Sequence, residues 1–503
     1  MENPAMSEKF FDAVRSELGA DSVDTSDDAI ARYGFNRLPG GDRAPAGVIW
    51  PSSVEDVQVV VRLAGQHGVG LWPTSTGQNI GLGEYSPVRD AQVVLDLGRR
   101  MNKVLEVNEK LGYAVIQPGV TFRRLRAEMA ERGDKLMISG TSGPPDGGVL
   151  GNALDRGAGY TPYFDHFGML SGLEVVLPDG DILHTGDGTF AGAKTRYINK
   201  SGFGPMLEGL FSQSNYGIVT SAAIWLLPRP PAICAWAFSF PDDGDLPEII
   251  DIVRGLKATN FVPTLIKVTS GAYGFATEAT YPGYEPGVGA LSDTARRELE
   301  REHGTGAWTV SGAFYGPSAD ALEPMVRRVR DMFEATGKAT YISHEEIVHN
   351  PVLKIHLDTF SGEPTESELG LLDWRPGGGA TWLLPATPMD GEIAQQHQEL
   401  SRRILTEHGF EYLVEFVCGP RAARALHIIV YNRADDAERS RMRDCYAALV
   451  EAYDRIGYPI SRTPTDYQEQ AMDRLPELKK FTGLLKGALD PQGVIAPGKY
   501  GIA

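Results

Sequence analysis

The sequence predicts an α+β protein of two domains. A chain of 503 residues is longer than one hydrophobic core ordinarily organises. Helical and strand patterns both occur in each half of it. Consecutive prolines at Arg229-Pro230-Pro231 interrupt regular structure near the middle and mark a boundary. The expected units are residues 1–230, residues 231–458 and a C-terminal segment, 459–503.

In the first unit, residues 52–67 read as an amphipathic helix. Ser52 and Glu55 form a capping-box pattern, Val57, Val60, Val61 and Ala64 recur at helical spacing, and Gly68 suits the C′ position. A strand Val69–Trp72 follows, then a loop of small residues from Pro73 to Gly83. Val93–Leu97 and Tyr113–Ile116 read as strands and Thr121–Glu131 as a helix. Leu173–Thr185 reads as a hairpin, because Leu173, Val175 and Leu177 alternate, Pro178-Asp179-Gly180 turns, and Ile182 and Leu183 return. In the second unit, helical patterns cover Asp245–Leu256, Ser318–Ala335, Gly391–Glu407 and Asp436–Arg455. Strands are expected at Trp308–Phe314, Tyr412–Val417 and Leu426–Val430, and Tyr273–Thr294, rich in Gly, Pro and Tyr, reads as an irregular loop. The tail Leu489–Lys499 carries Val494, Ile495 and two prolines, a pattern that packs against a body.

Composition narrows the function. A net charge of -18 repels phosphate backbones, which disfavours nucleic-acid binding. Cys234, Cys418 and Cys445 form no CxxC pair, so neither a disulfide framework nor a zinc site is expected. His344–His349 lacks the spacing of a zinc-binding HExxH, and no metal is expected. No apolar stretch has the length of a signal peptide or a membrane span, so the expectation is a cytoplasmic protein without membrane contact.

Two segments carry chemistry. In the Pro73–Gly83 loop, Gly77, Gly81 and Gly83 with Ser75, Thr76 and Asn79 leave backbone amides bare, as a pyrophosphate site requires. The spacing is neither that of a dinucleotide-binding fingerprint nor that of a P-loop, and a plain surface loop would read the same way. The segment Gly151–Phe167 holds Asp155 and Asp165 among glycines and aromatics. Burial would make such carboxylates acid or base catalysts; a bond from Asp155 to Arg156, or a turn cap, is the structural alternative.

These segments, quoted as PTSTGQNIGLG and GNALDRGAGYTPYFDHF, occur in order with MNKVLEVNEKLGYAVIQPGVTF, GLEVVLPDGDILHTG, FSQSNYGIVT, LLDWRPGGG and LDPQGVIAPGKYGI. From about Val54 to the C-terminus the chain resembles the vanillyl-alcohol oxidase / p-cresol methylhydroxylase family of FAD-linked oxidases. The resemblance implies a PCMH-type FAD domain, built from the N-terminal half and the returning segment 459–503, beneath an α+β cap domain that roofs the substrate. It implies FAD contacts from Pro73, Thr74, Ser75, Thr76, Gly77, Gln78, Asn79, Gly81 and Leu82, and from Gly151, Asn152, Asp155, Gly157, Tyr160 and Thr161. Gly217, Ile218, Val219 and Lys499 complete that set, Lys499 as a point charge at the flavin pyrimidine. The implied reaction is hydride transfer from the benzylic carbon of a para-substituted phenol to flavin N5. Electrons then pass to O2 or a protein acceptor, and the implied assembly is a homodimer or a dimer of dimers.

The chain departs from that family where the flavin is tethered. Ala380 stands at the histidine position and Leu372 at the tyrosine position, and the Pro73–Gly83 loop has no histidine, so FAD is expected to be non-covalent. The phenolate clamp differs as well. Leu82 and Ser461 replace its tyrosines and Arg462 is retained; Tyr85 and Tyr467 are nearby substitutes, and Ala380 and Trp382 complete the expected substrate pocket. Arg462 would neutralise charge on the substrate oxygen, Asp155 would act as a base or a stabiliser near flavin N5, and Asp165 would support the site from behind or activate water. The altered clamp leaves a non-phenolic alcohol or hydroxy acid as an alternative substrate, and flavin binding without turnover as a second alternative.

Overall fold

A computed structural model describes residues 4–503, which form sheets of four, five and eight strands and a two-stranded ribbon. The four-stranded sheet runs in the order Val23–Asp24, Gly47–Ile49, Val93–Asp96, Leu71–Thr74, the last three parallel. Helix Val54–His67 buries Val57, Val60, Val61 and Ala64 in the core of this sheet and ends on Gly68 at φ 64°. Its cap is Ser53, one residue later than expected, whose Oγ accepts from Asp56 N at 3.1 Å. Ser52 instead donates to the Asp56 carboxylate. The following strand begins at Leu71 rather than Val69, because the Val69 N–H closes the helix end on Ala64 O at 2.9 Å. The C-terminal tail joins this sheet: Leu71 N donates to Val494 O and Ala496 N to Leu71 O, and Val494, Ile495 and Ala496 are buried in its core.

The five-stranded antiparallel sheet has the order Val104–Asn108, Tyr113–Ile116, Ile218–Trp225, Leu170–Val176, Ile182–His184. The expected hairpin is its edge, with Val175 opposite Leu183. Helix Phe122–Glu131, capped by Thr121, and the short helix Val149–Leu154 pack against it.

The eight-stranded antiparallel sheet lies wholly between Ala232 and Tyr431. Its central strands are Trp308–Gly316, Ile266–Ser270, Val414–Cys418 and Ala422–Tyr431. Alternation gives it two faces. One carries Trp236, Phe238, Phe240, Val268, Val310, Phe416 and Tyr431 into a core shared with residues of helices Leu246–Ala258, Ala319–Glu334, Gly391–Glu407 and Asp436–Arg455. The other presents Ser311, Lys267, Thr269, Glu415, Val417, Arg424 and Leu426, which the strand register sets side by side. The strand expected at Leu426 starts at Ala422, and the segment read as irregular contains part of helix Gly271–Ala276 and the first turn of Asp293–Glu302. No helix among the described residues is long and apolar enough to cross a membrane.

Candidate active site

A cavity of about 530 Å³ lies between the Pro73–Gly83 loop, the short helix Val149–Leu154 and the second face of the large sheet. The loop reaches it through positive backbone angles, Gly77 at φ 63° and Gly81 at φ 70°. A Cβ on Gly77 would come within 2.2 Å of the Tyr85 ring, and one on Gly81 within 2.8 Å of Trp382. Among the described residues, the N–H groups of Thr76, Gly77 and Gln78 have no protein acceptor and border the cavity. Free amides on a glycine turn are the donor set a pyrophosphate needs, so the loop fits FAD.

Most residues expected at the cofactor line this cavity: 73–79, Leu82, Gly151, Asn152, Asp155, Tyr160, 217–219 and Lys499. Gly81, Gly157 and Thr161 do not, and they act on the wall from behind. Gly81 O accepts from Trp382 N at 3.3 Å. A Cβ on Gly157 would meet the Asn152 side chain at 2.1 Å. Thr161, fully buried, accepts from Tyr163 N at 3.2 Å and shapes a turn.

The charged centre is Asp155. Its Oδ2 accepts from Arg462 at 2.7 and 3.1 Å, and its Oδ1 accepts from the Tyr500 hydroxyl. Lys499 stands 5.2 Å over the Trp72 ring; burial lowers its pKa, and Asp155 opposes that shift. With both oxygens engaged, Asp155 holds Arg462 in place and is not the free base expected from sequence. Asp165 is exposed, outside the cavity wall, and caps a turn by accepting from Gly168 N at 3.0 Å; that corrects its expected role on water.

The roof is the large sheet. Trp382, Leu384, Ala386, Val417, Leu426 and Ile428 make an apolar ceiling, with Leu371 and Leu372 beside it. Arg424 shares this ceiling and donates to Arg156 O at 3.1 Å. Tyr273 donates to Glu368 Oε1, while Glu368 Oε2, also buried, has no hydrogen-bond partner and lies 3.9 Å from Lys267 Nζ. Lys267 donates to Ser142 at 3.0 Å and pairs with Glu415 at 3.4 Å, and Glu415 accepts from Tyr160 and Thr269. Burial pushes the Glu415 carboxyl up to about 7 against the pull of Lys267. Glu84 also lines the cavity, next to Leu82, and burial pushes its carboxyl up to about 7 although Gly81 N and Arg37 N donate to it.

Of the expected substrate residues, Leu82, Trp382 and Ser461 line the cavity. Tyr85 does not: it supports Gly77 and meets Tyr33 edge-on at 4.9 Å. Tyr467 stacks on Tyr446 at 3.9 Å, away from the cavity. Ala380 is fully buried on the same face as Trp382 and Ile428, paired with Val430, and is not in the cavity lining. Gly377 and Gly378 turn the chain at φ 84° and 62° beside Asn432. The buried Arg375 of the same motif anchors that turn to Glu411 and Glu438. Tyr273, Glu368, Lys267, Glu415, Glu84, Arg424 and Tyr500 were missed by sequence reasoning. Of these, Tyr500 left a signal there, since it lies inside the quoted motif LDPQGVIAPGKYGI.

A nucleotide-length cleft with a bare glycine loop below, an apolar sheet above and an arginine–carboxylate pair at its side defines a PCMH-type FAD-binding fold. The model of the FAD binding domain matches residues 45–186. The chain is 34% identical to the 4-cresol dehydrogenase [hydroxylating] flavoprotein subunit of Pseudomonas putida, over 97% of this chain and 94% of that protein. It is 33% identical to 1'-carboxy-chondrochloren decarboxylase of Chondromyces crocatus, over 98% and 97%. The solved structure of p-cresol methylhydroxylase with substrate bound superposes with a TM-score of 0.96 at 33% identity, covering 99% of this chain and 98% of that one. The isoeugenol complex of 4-ethylphenol oxidase from Gulosibacter chungangensis gives 0.96 at 32% identity, with coverage of 99% and 98%. The chain belongs to the vanillyl-alcohol oxidase / p-cresol methylhydroxylase family and is an FAD-dependent oxidoreductase.

Proposed function

We propose that the protein oxidises an aromatic substrate at an activated side-chain carbon, with FAD held non-covalently and the substrate ring under the Trp382–Leu426–Ile428 ceiling. The observation that carries this reading is the Arg462–Asp155–Tyr500 cluster set at the side of that apolar slot. The 4-cresol and 4-ethylphenol enzymes are named for phenols, and the Chondromyces crocatus relative for a carboxylated compound.

FAD, when bound, supplies the hydride acceptor. Residues 73–79 and Lys499 would hold it, the amides at its pyrophosphate and the ammonium as the cation for its ring. Arg462, fixed in orientation by Asp155, faces negative charge developing on the substrate oxygen, a preorganised stabilisation. Glu368, in the cavity lining, accepts the substrate proton on Oε2, which is buried, makes no hydrogen bond and lies 3.9 Å from Lys267 Nζ, and Tyr273 orients its carboxylate. The ceiling excludes water and strengthens each of these interactions.

Non-covalent binding is supported by Ala380 and Leu372 at the two attachment positions. Among the described residues, the cavity lining also includes neither histidine nor cysteine. We further propose that residues 1–230 with 459–503 form the FAD-binding unit and 231–458 the cap. The electrons pass to O2 or a protein acceptor, which aerobic turnover without added acceptor distinguishes. The test of the reaction is anaerobic mixing of the FAD-loaded protein with para-substituted aryl substrates. Loss of the yellow flavin band is the expected result, and a band unchanged by every aryl substrate would reject the proposal.

A further inference from the structure

We propose that Arg424 recognises a carboxylate on the substrate, so that the cavity selects an aryl compound bearing an anionic side group over a neutral alkylphenol. The inference rests on the reading that an aromatic substrate lies under the large sheet.

Arg424, Leu426 and Ile428 alternate along one strand and point into the cavity. Their neighbours on the ceiling, Val417, Ala386, Leu384 and Trp382, are apolar, so Arg424 is its one charged side chain. Four residues of strand separate Arg424 from Ile428, about 13 Å at the usual rise per residue, a span suited to an aromatic ring with a short side group.

Two arginines of the cavity lining, Arg424 and Arg156, make no ion pair among the described residues, and of the two Arg424 is the one on the ceiling. Arg462 is neutralised by Asp155 at 2.7 Å, and Lys267 by Glu415 and Glu368. Lys499 lies in the field of Asp155. Arg424 makes no ion pair among the described residues; its polar partner is one backbone carbonyl, that of Arg156, and Asp165 acts on it only from beyond ion-pair distance. Arg462 lies close enough to act on it as a second cation. Partial desolvation on the cavity wall and this like charge both disfavour the charged form of Arg424, whose side chain stays accessible to solvent, yet a guanidinium does not give up its proton. The open fork therefore favours an anion entering the cavity, and two parallel N–H donors match a carboxylate better than a hydroxyl. The replacement of tyrosine donors by Leu82 and Ser461 removes partners for a phenolate near Arg462, while Arg424 adds a cation on the ceiling.

The probes are 4-hydroxybenzoate and its neutral isostere 4-hydroxybenzamide, titrated calorimetrically into the FAD-loaded wild type, Arg424→Gln and Arg424→Lys. The wild type should bind the carboxylate about tenfold more tightly than the amide or better, the gain expected of a charge-assisted pair. Arg424→Gln should erase that preference while leaving amide affinity and FAD content unchanged, and Arg424→Lys should keep part of it. Equal binding of the two probes by the wild type would overturn the proposal. So would a preference that survives in Arg424→Gln, or a variant that loses FAD and keeps the preference, which would give Arg424 to the cofactor. Binding is read without turnover, so a carboxylate preference in a protein whose flavin no aryl substrate reduces would reject the oxidation and leave this assignment standing.

Discussion

Arg462 and Asp155 are each about one-fifth exposed, and each needs the other. Asp155→Ala leaves a guanidinium unpaired in the cavity wall and should cost up to about 3 kcal/mol in chemical denaturation, reduced from a fully buried pair by that exposure. Arg462→Gln should lower kcat by roughly 100-fold with little change in FAD affinity, as expected when a stabiliser of developing charge is removed. A drop confined to KM would make Arg462 a ground-state binding residue instead. Glu84 gives a pH signature. Its folded pKa is raised by burial from 4.5 to about 7, so the folded protein binds more protons than the unfolded chain between those values. The stability contributed by this group is present below about pH 4.5 and is lost as pH rises through 7. Glu84→Gln should thus gain on the wild type as pH rises from about 5.5 to 8.5, by about 2 kcal/mol. A difference that stays flat across that range in apoprotein melts would contradict the buried carboxyl. Sequence made Arg462, Asp155 and Lys499 legible because each sits inside a motif. Lys267 and Glu415 were not legible: their burial comes from Ile266–Ser270 pairing with Val414–Cys418, some 150 residues apart, and no local pattern reports it.

At the scale of elements, the glycine loop stays open because Tyr85 packs beneath it. Gly77→Ala forces a non-glycine residue to φ 63° and drives a methyl into the Tyr85 ring. The combined strain and overpacking should cost about 2–4 kcal/mol. Calorimetric titration of apoprotein with FAD should show weaker binding, whereas unchanged affinity would mean the loop does not hold the cofactor. This loop was readable from composition, as were helices Gly391–Glu407 and Asp436–Arg455, whose observed ends match those expected. Where the ends moved, a hydrogen bond was responsible. Ser53 took the cap from Ser52, and the Val69 amide closed a helix rather than opening a strand. Starting the strand at Leu426 instead of Ala422 hid Arg424, because a residue outside a strand has no assigned face.

Across the whole molecule, the site is assembled from distant stretches: the Pro73–Gly83 loop, the segments around Asp155 and Gly217, the large sheet, the segment around Arg462 and the last residues, Lys499 and Tyr500 among them. Asn215 donates to Ala496 O and Ile502 O, and Lys486 donates to Asn215 O and Ile495 O, so the tail is sewn into the cofactor side. Deleting residues 491–503 removes Val494, Ile495 and Ala496 from the core together with Lys499 and Tyr500 from the cavity. That truncation should abolish FAD retention and lower the melting temperature; retained yellow protein after gel filtration would show the tail to be dispensable. The tether offers a second test at this scale. Acid precipitation of the intact holoprotein should release free FAD into the supernatant, and flavin left in the pellet would show a bond made by a residue other than those at 372 and 380. The two-domain α+β organisation was legible because its motifs lie in order along almost the whole chain, whereas the ceiling of the cavity required the register of the large sheet.

The most direct measurement is rapid anaerobic mixing of the FAD-loaded enzyme with two matched substrate series, para-substituted aryl compounds with and without a side-chain carboxylate, and aliphatic hydroxy acids. Full bleaching of the flavin by aryl members, slowed in Arg462→Gln, is the result that follows from an Arg462–Asp155 pair beside an apolar slot. Bleaching by aliphatic hydroxy acids alone would contradict it.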